Sequence, residues 1–175
     1  MKTTLLLSLG LSIFLSACCK EHEADLPSEV KLGQSVVYLN GCKEDYEPDF
    51  KLIKVYSHIN FAFVDKYDDV VNLLAFDWLP IQTGDFELHT ERIQYIKALT
   101  SFGQTVDEDL TGYEYELEVP EEGFFNIEAL DTVNQEVKGR FRAQFRRTTK
   151  NGYKHLGLPE TLLFQGVFNE KYEVY

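Results

Sequence analysis

Residues 107–118 read Asp-Glu-Asp-Leu-Thr-Gly-Tyr-Glu-Tyr-Glu-Leu-Glu, the stretch whose oxygen ligands come nearest to the spacing of a calcium loop. Asp107, Asp109 and Thr111 take the first, third and fifth positions, Gly112 the sixth and Glu118 the twelfth, as in an EF-hand that wraps oxygens around a hard cation. The same residues also argue against it. An EF-hand needs a helix on each side, whereas Tyr113, Tyr115 and Leu117 alternate with Glu114, Glu116 and Glu118 as in a half-buried strand. At roughly 3.3 Å per residue, an extended chain carries Glu118 about 20 Å beyond Gly112, too far to close a loop. The expectation is an acidic connection between strands, with no metal and no cofactor.

A second chemistry is cationic. Lys138, Arg140, Arg142 and Arg146 alternate with Val137, Phe141, Ala143 and Phe145 and so share one face of a strand, and Arg147 extends the basic run at its end. Such a face suits an anionic glycan or a lipid phosphate. The competing explanation is cross-strand pairing with Glu114, Glu116 and Glu118, where each opposite-charge pair contributes about 0.2–1 kcal/mol. The acidic strand lies close in sequence, which favours pairing.

Nucleophile and zinc signatures are weaker still. His22-Glu23 opens an H-E-x-x-H pattern, but Leu26 stands where the second histidine is needed. No C-x-x-C, G-x-S-x-G or P-loop occurs. His58 and His89 fall in strand-like runs and His155 in a loop, so packing or surface roles are expected. Trp78 and the ten tyrosines offer a glycan platform, although aromatic residues in strands more often build a core. No catalytic residue is assigned.

The remaining reactive group is cysteine, and its setting at the N-terminus is informative. Lys2 is followed by an apolar run from Leu5 to Leu15, broken only by Ser8, Gly10 and Ser12. A spanning helix needs about 20 apolar residues, so this run is short for a final anchor and reads as a cleaved export signal, residues 1–17. Leu15-Ser16-Ala17-Cys18 resembles the lipobox of bacterial lipoproteins. The resemblance implies that Cys18 carries a diacylglyceryl thioether, becomes the new N-terminus and can be acylated at its amine. Each buried CH₂ contributes about 0.8 kcal/mol, and two or more chains anchor stably. Cys18 is therefore the expected lipid-attachment residue, and the membrane the expected partner.

Lys20-Glu21-His22-Glu23 resembles the short charged signals by which Bacteroidota send lipoproteins to the cell surface, with a periplasm-facing protein as the alternative. Cys19 and Cys42 remain, and whether they pair is left open by the sequence. Residues 18–33 are polar, include Pro27 and lack sustained periodicity, so they read as a tether with a reach of about 20 Å.

The rest of the chain must position these residues. Removal of residues 1–17 leaves 158 of the 175 residues, enough for one core without staples. The net charge is −12, or −13 once Lys2 is lost, which repels phosphate backbones and excludes nucleic acid as a partner. Short β-branched and aromatic runs at 36–39, 50–56, 58–64, 70–76 and 84–90 are separated by Gly, Asn, Asp or Pro. Strands are also expected at 113–118 and 161–168, and a hairpin over 124–146. Only 91–102 is ambiguous, since Ile93, Ile96, Leu99 and Phe102 also fit a short helix. The fold class is all-β, a sandwich or barrel of about 7–9 strands over residues 34–175.

Gly123-Phe124-Phe125-Asn126-Ile127-Glu128-Ala129-Leu130-Asp131, then Val137-Lys138-Gly139-Arg140-Phe141-Arg142-Ala143-Gln144-Phe145, resemble a hairpin found in uncharacterised lipoproteins of Bacteroidota. Phe164-Gln165-Gly166-Val167-Phe168 and Leu79-Pro80-Ile81-Gln82-Thr83-Gly84-Asp85-Phe86 extend the likeness, with Gln165 where those proteins often carry Asn. The resemblance covers about half the domain and implies an all-β extracytoplasmic fold without a known activity. The function expected is a lipid-anchored envelope protein that binds a glycan or protein. The alternatives are an envelope hydrolase with a site assembled only on folding, and a structural component of an envelope complex.

Overall fold

A computed structural model describes residues 23–54, 57–67, 70–89, 98–106, 110–118, 123–148 and 159–175. The elements are β1 (Gln34–Leu39), β2 (Cys42–Glu44), β3 (Glu47–Ile53), β4 (His58–Tyr67), β5 (Val70–Pro80) and β6 (Gly84–His89). They continue with β7 (Ala98–Val106), β8 (Leu110–Leu117), β9 (Phe124–Asp131), β10 (Glu136–Arg147), β11 (Thr161–Lys171) and β12 (Glu173–Val174). One sheet runs β6-β9-β10-β11-β1-β2 and the other β12-β3-β4-β5-β7. They pack as a β-sandwich and are joined where β6 lies parallel to β7 and where β8 pairs with both β7 and β10.

The all-β expectation holds, with more strands than the expected 7–9. The sequence reading missed β2, β7 and β12. Two of these are very short, and β7 (Ala-Leu-Thr-Ser-Phe-Gly-Gln-Thr-Val) lies in the ambiguous stretch. A helix near 91–102 is corrected over residues 98–102, which are strand: Ala98 pairs with Leu88 of β6, and Leu99 to Phe102 pair with β5 from Asp77↔Leu99 to Leu74↔Phe102. Cross-strand partners supplied by tertiary structure override a local helical spacing. Residues 91–97 lie outside the described residues.

Alternation on β10 sends Val137, Gly139, Phe141, Ala143 and Phe145 inward and the cations outward. On β11, Leu162, Phe164, Gly166 and Phe168 face the same interior. The register pairs Gly139 with Phe168, Phe141 with Gly166, and Ala143 with Phe164, so each ring meets a small residue on the neighbouring strand. Phe168 reaches across the sandwich to Phe50 and Phe61 at centroid distances of 5.3 and 5.5 Å, and Phe141 to Phe63 and Phe76 at 4.8 and 5.0 Å. Aromatic pairs at such separations contribute about 0.5–1.5 kcal/mol each beyond the area they bury.

The turns carry the residue types their dihedrals require. Asn40 and Gly41 both have positive φ, 50° and 79°, between β1 and β2, an Asn-Gly turn whose twist suits a hairpin. Asn40 is held further by β11: its Oδ1 accepts from Leu163 N at 2.7 Å and its Nδ2 donates to Thr161 O at 3.1 Å. Between β9 and β10, the Asp131 carboxylate accepts from the backbone N–H groups of Asn134 and Val133 and from the Asn134 amide. These bonds, led by that from the Asn134 backbone, hold its pKa below the usual carboxylate range.

A Cβ added at Gly166 would lie 2.4 Å from Phe141 Cζ and 3.0 Å from Val36 O, with a ring on one side and backbone on the other. Gly166→Ala is therefore expected to cost about 1–3 kcal/mol through overpacking. At roughly 2–4 °C per kcal/mol for a domain of this size, the melting temperature should fall by several degrees. An unchanged thermal melt would show that Phe141 moves aside freely and that the pairing is not constraining.

Candidate functional site

The outer face of the β6-β9-β10-β11-β1 sheet carries most of the chemistry singled out in the sequence. Lys138, Arg140, Arg142 and Arg146 project together there, as their parity requires, and each has a carboxylate neighbour. Arg140 donates from both Nε and Nη2 to Glu128 Oε1, the Nε contact being 2.7 Å, and Lys138 Nζ stands 3.6 Å from Glu128 Oε2. Arg146 pairs with Glu118, and Arg142 lies 3.5 Å from Glu23.

Pairing thus occurs, with partners that differ from those expected. Among the described side chains of the acidic strand, Glu118 forms an ion pair with the basic face; Glu116 is the register neighbour of Arg146, and the side chain of Glu114 is outside the described residues. β8 meets β10 only over Phe145↔Leu117 to Arg147↔Tyr115, so the acidic strand reaches one end of the cationic row. Glu128 on β9, shared by Lys138 and Arg140, and Glu23 in the N-terminal segment, beside Arg142, pair with the rest.

Glu23 belongs to a segment that does not extend away from the domain as a tether would. Ala24 N donates to Gln165 Oε1 at 2.8 Å, Asn169 Nδ2 donates to Val30 O at 3.2 Å, and Gly33 N donates to Asn169 O at 2.7 Å. Residues 23–33 therefore lie along β11 as a strap. Its polar composition concealed this, because the hydrogen-bond partners are single side chains 139 and 141 positions away. Gln165 and Val167 point outward yet are only 6% and 8% exposed, which places them under cover.

Two concavities flank the row of cations. A shallow depression of about 610 Å³ over β6, β9 and β10 is lined by Asp85, Phe124, Asn126, Glu128 and Arg140. Asn126 Nδ2 donates to Asp85 Oδ1 at 2.7 Å across the strand pair. A smaller groove of about 330 Å³ is lined by Glu23, Asn40, Glu118, Arg142, Arg146 and Thr161, among others. Its paired charges leave it close to neutral.

The other singled-out residues are dispersed. Asp107 and Asp109 lie outside the described residues, and the flanks of that loop are the strands β7 and β8, paired as Val106↔Leu110. Thr111 is a β8 residue opposite Thr105. No group of three Asp, Glu, His or Cys side chains suited to a metal exists among the described residues.

His58 is buried against the Trp78 ring at a centroid distance of 4.1 Å, and His89 Nε2 is 3.6 Å from Glu87. Trp78 takes φ 63° where β4 and β5 shift register, its N–H donating to Asn60 Oδ1 at 3.0 Å. Tyr46, Tyr115 and Tyr172 are core residues, so the described aromatics form no exposed strip. Cys18, Cys19, His22 and His155 lie outside the described residues. No helix among the described residues is long and apolar enough to cross a membrane.

An acidic corner was not foreseen from the sequence. Burial, with repulsion from Asp65 and Asp45, raises the pKa of Glu44 above the ordinary glutamate value. Burial, Asp65 and Glu44 likewise raise that of Tyr46. Asp65 is steadied by Asn72 Nδ2 at 3.0 Å. Alternation in three separate strands and a loop gives no hint that these residues converge.

The fold and its surface define an all-β sandwich with a strapped, charge-paired outer sheet. Comparison with known proteins adds no relative: no family model, no curated protein and no solved structure matches this chain.

In the folded state Glu44 holds its proton more tightly than in the unfolded chain. Stability therefore falls as pH rises from the unfolded glutamate pKa through the raised folded one, and the penalty is complete above it. Glu44→Gln should remove this component, so the variant's melting temperature gains on the wild type between pH 4 and pH 7. A parallel pair of melting curves across that range would contradict the assignment.

Proposed function

We propose that this chain is a lipid-anchored protein of a bacterial cell envelope, exported by residues 1–17, attached through Cys18 and acting as a binding or accessory module. The observation that carries the reading is the run Leu15-Ser16-Ala17-Cys18 behind a short apolar segment. A charge of −13 after loss of that segment disfavours lipid phosphates and nucleic acid as surfaces to bind directly, so attachment falls to the acyl chains. The resemblance to Bacteroidota lipoproteins supports an outer-membrane location, facing the cell surface.

The ligand surface we favour is the depression over β6, β9 and β10. Asn126, Asp85, Glu128 and Arg140 offer donors and acceptors beside the half-buried Phe124 ring, a combination suited to the hydroxyls and apolar faces of a glycan. The two carboxylates there are engaged by an amide and by cations rather than left opposed to one another. Binding therefore has more support than hydrolysis.

The anchor is tested by Cys18→Ala, which should move the protein from the membrane fraction to the soluble fraction and abolish the acyl mass on the N-terminal peptide. Retention of the variant in the membrane would overturn the anchor. The ligand surface is tested with a panel of envelope and dietary polysaccharides presented to the soluble variant. An additional Phe124→Ala change should weaken any binding by tenfold or more at an unchanged melting temperature, and equal binding would place the ligand elsewhere.

A further inference from the structure

Cys42 is disulfide-bonded, and the chain holds two other cysteines, Cys18 and Cys19. The partner within the chain is one of these. A cysteine whose sulfur forms a thioether to a lipid has no thiol to oxidise, so lipidation of Cys18 and a Cys18–Cys42 bridge exclude each other. We infer that the adjacent pair divides two tasks: Cys18 carries the lipid, and Cys19 is bonded to Cys42, stapling the anchor to the edge of the β6-β9-β10-β11-β1-β2 sheet. The assignment of Cys19 rests on the lipid-anchor reading above.

The geometry accommodates the bridge. Cys42 follows the Asn40-Gly41 turn directly, and Asn40 is fixed to β11 by three hydrogen bonds, to Thr161 O and to the N–H and carbonyl of Leu163. Asn40 and Glu23 line the same groove, so the strap arrives beside that turn. Cys19 is four residues before Glu23, a span of at most about 14 Å of extended chain. A disulfide needs its Cα atoms about 4.4–6.8 Å apart, which that length can satisfy.

Formation of the bond balances simply. The two thiols lose two protons and two electrons, and the electrons reduce the disulfide of a thiol oxidant of the envelope to its dithiol.

The consequence is positional. Neighbouring Cα atoms are 3.8 Å apart, so the lipid-bearing residue sits one residue from a covalent link to the domain. The β1–β2 turn is then held next to the membrane, adding a covalent link to the hydrogen bonds that already dock residues 23–33 on the sheet. The depression over β6 and β9 lies on the same sheet at the opposite edge from β2, turned away from the anchor.

The test uses the mature lipidated protein extracted from membranes, alkylated without reduction, digested with trypsin and sequenced by fragmentation. The expected result is acyl mass on Cys18 and a bond from Cys19 to the peptide containing Cys42. Acylated Cys18 with alkylated Cys42 overturns the staple and leaves the anchor standing. A Cys19–Cys42 bond with unacylated Cys18 overturns the anchor and leaves the bond standing, while a Cys18–Cys42 bond overturns both.

Cys19→Ser, which leaves the β-domain sequence intact, should render Cys42 alkylatable in the lipidated protein. It should also speed tryptic cleavage after Lys31 tenfold or more, and a blocked Cys42 or unchanged cleavage would count against the staple.

Discussion

The sandwich depends on two reciprocal contacts between β10 and β11. The Phe168 ring lies over Gly139 and the Phe141 ring over Gly166, with ring carbons 2.7 Å and 2.4 Å from where a Cβ would stand. Each glycine removes the side chain that would otherwise hold its neighbour's ring off the sheet, so both rings pack close to the backbone and still reach the opposing strands. Large and small residues facing one another fill the interior at native density, where added or missing methylenes are costly. Eight phenylalanines are among the largest fully buried side chains, and a core of that volume closes only because these glycines make room.

The same alternation fixes the outside. Once Val137, Phe141, Ala143 and Phe145 must face inward, Lys138, Arg140, Arg142 and Arg146 are forced onto one outer row, where like charges two residues apart repel. Their compensation comes from three directions: β9 supplies Glu128, the residue just after β8 is Glu118 and the strap supplies Glu23. Exposed ion pairs are individually worth about 0–1 kcal/mol, so their effect is less to stabilise the sheet than to settle which segments lie beside the cations. Arg142, whose side chain is only 18% exposed, is the member most in need of a partner.

How much of this was legible in the sequence depends on the range of each interaction. Alternation is local, so the inward and outward sets of β8 and β10 and the 124–146 hairpin could be read directly. The run Val137-x-Gly139-x-Phe141 with Gly166-Val167-Phe168 was visible as a pattern, but its meaning required the register that pairs glycine with phenylalanine. β7 was obscured because Leu99 fits helical spacing with Ile96 and Phe102 and strand parity with Ile93 and Tyr95, and its pairing with β5 decided between them. The acidic corner of Glu44, Tyr46 and Asp65, like the contacts of Glu23 and Ala24, joins residues whose spacing in the chain carries no periodic signal.

The strap changes what the N-terminal segment is for. Val167 is an apolar residue on the outer face of a sheet, and Gln165 is an amide buried to 6% on that same face. Covering Val167 removes apolar surface from water, and the covered Gln165 then needs a partner, since a buried polar group without one loses about 1–3 kcal/mol. The Gln165 carbonyl accepts the Ala24 N–H, and residues 23–33 cover the strand between Gln165 and Asn169. β11 is thereby enclosed on both faces: phenylalanine rings on one, the N-terminal chain on the other. A strand enclosed in this way ties residues 23–33 to the centre of the sheet, so the path of that segment is set by the same strand that supplies Gly166 and Phe168 to the core.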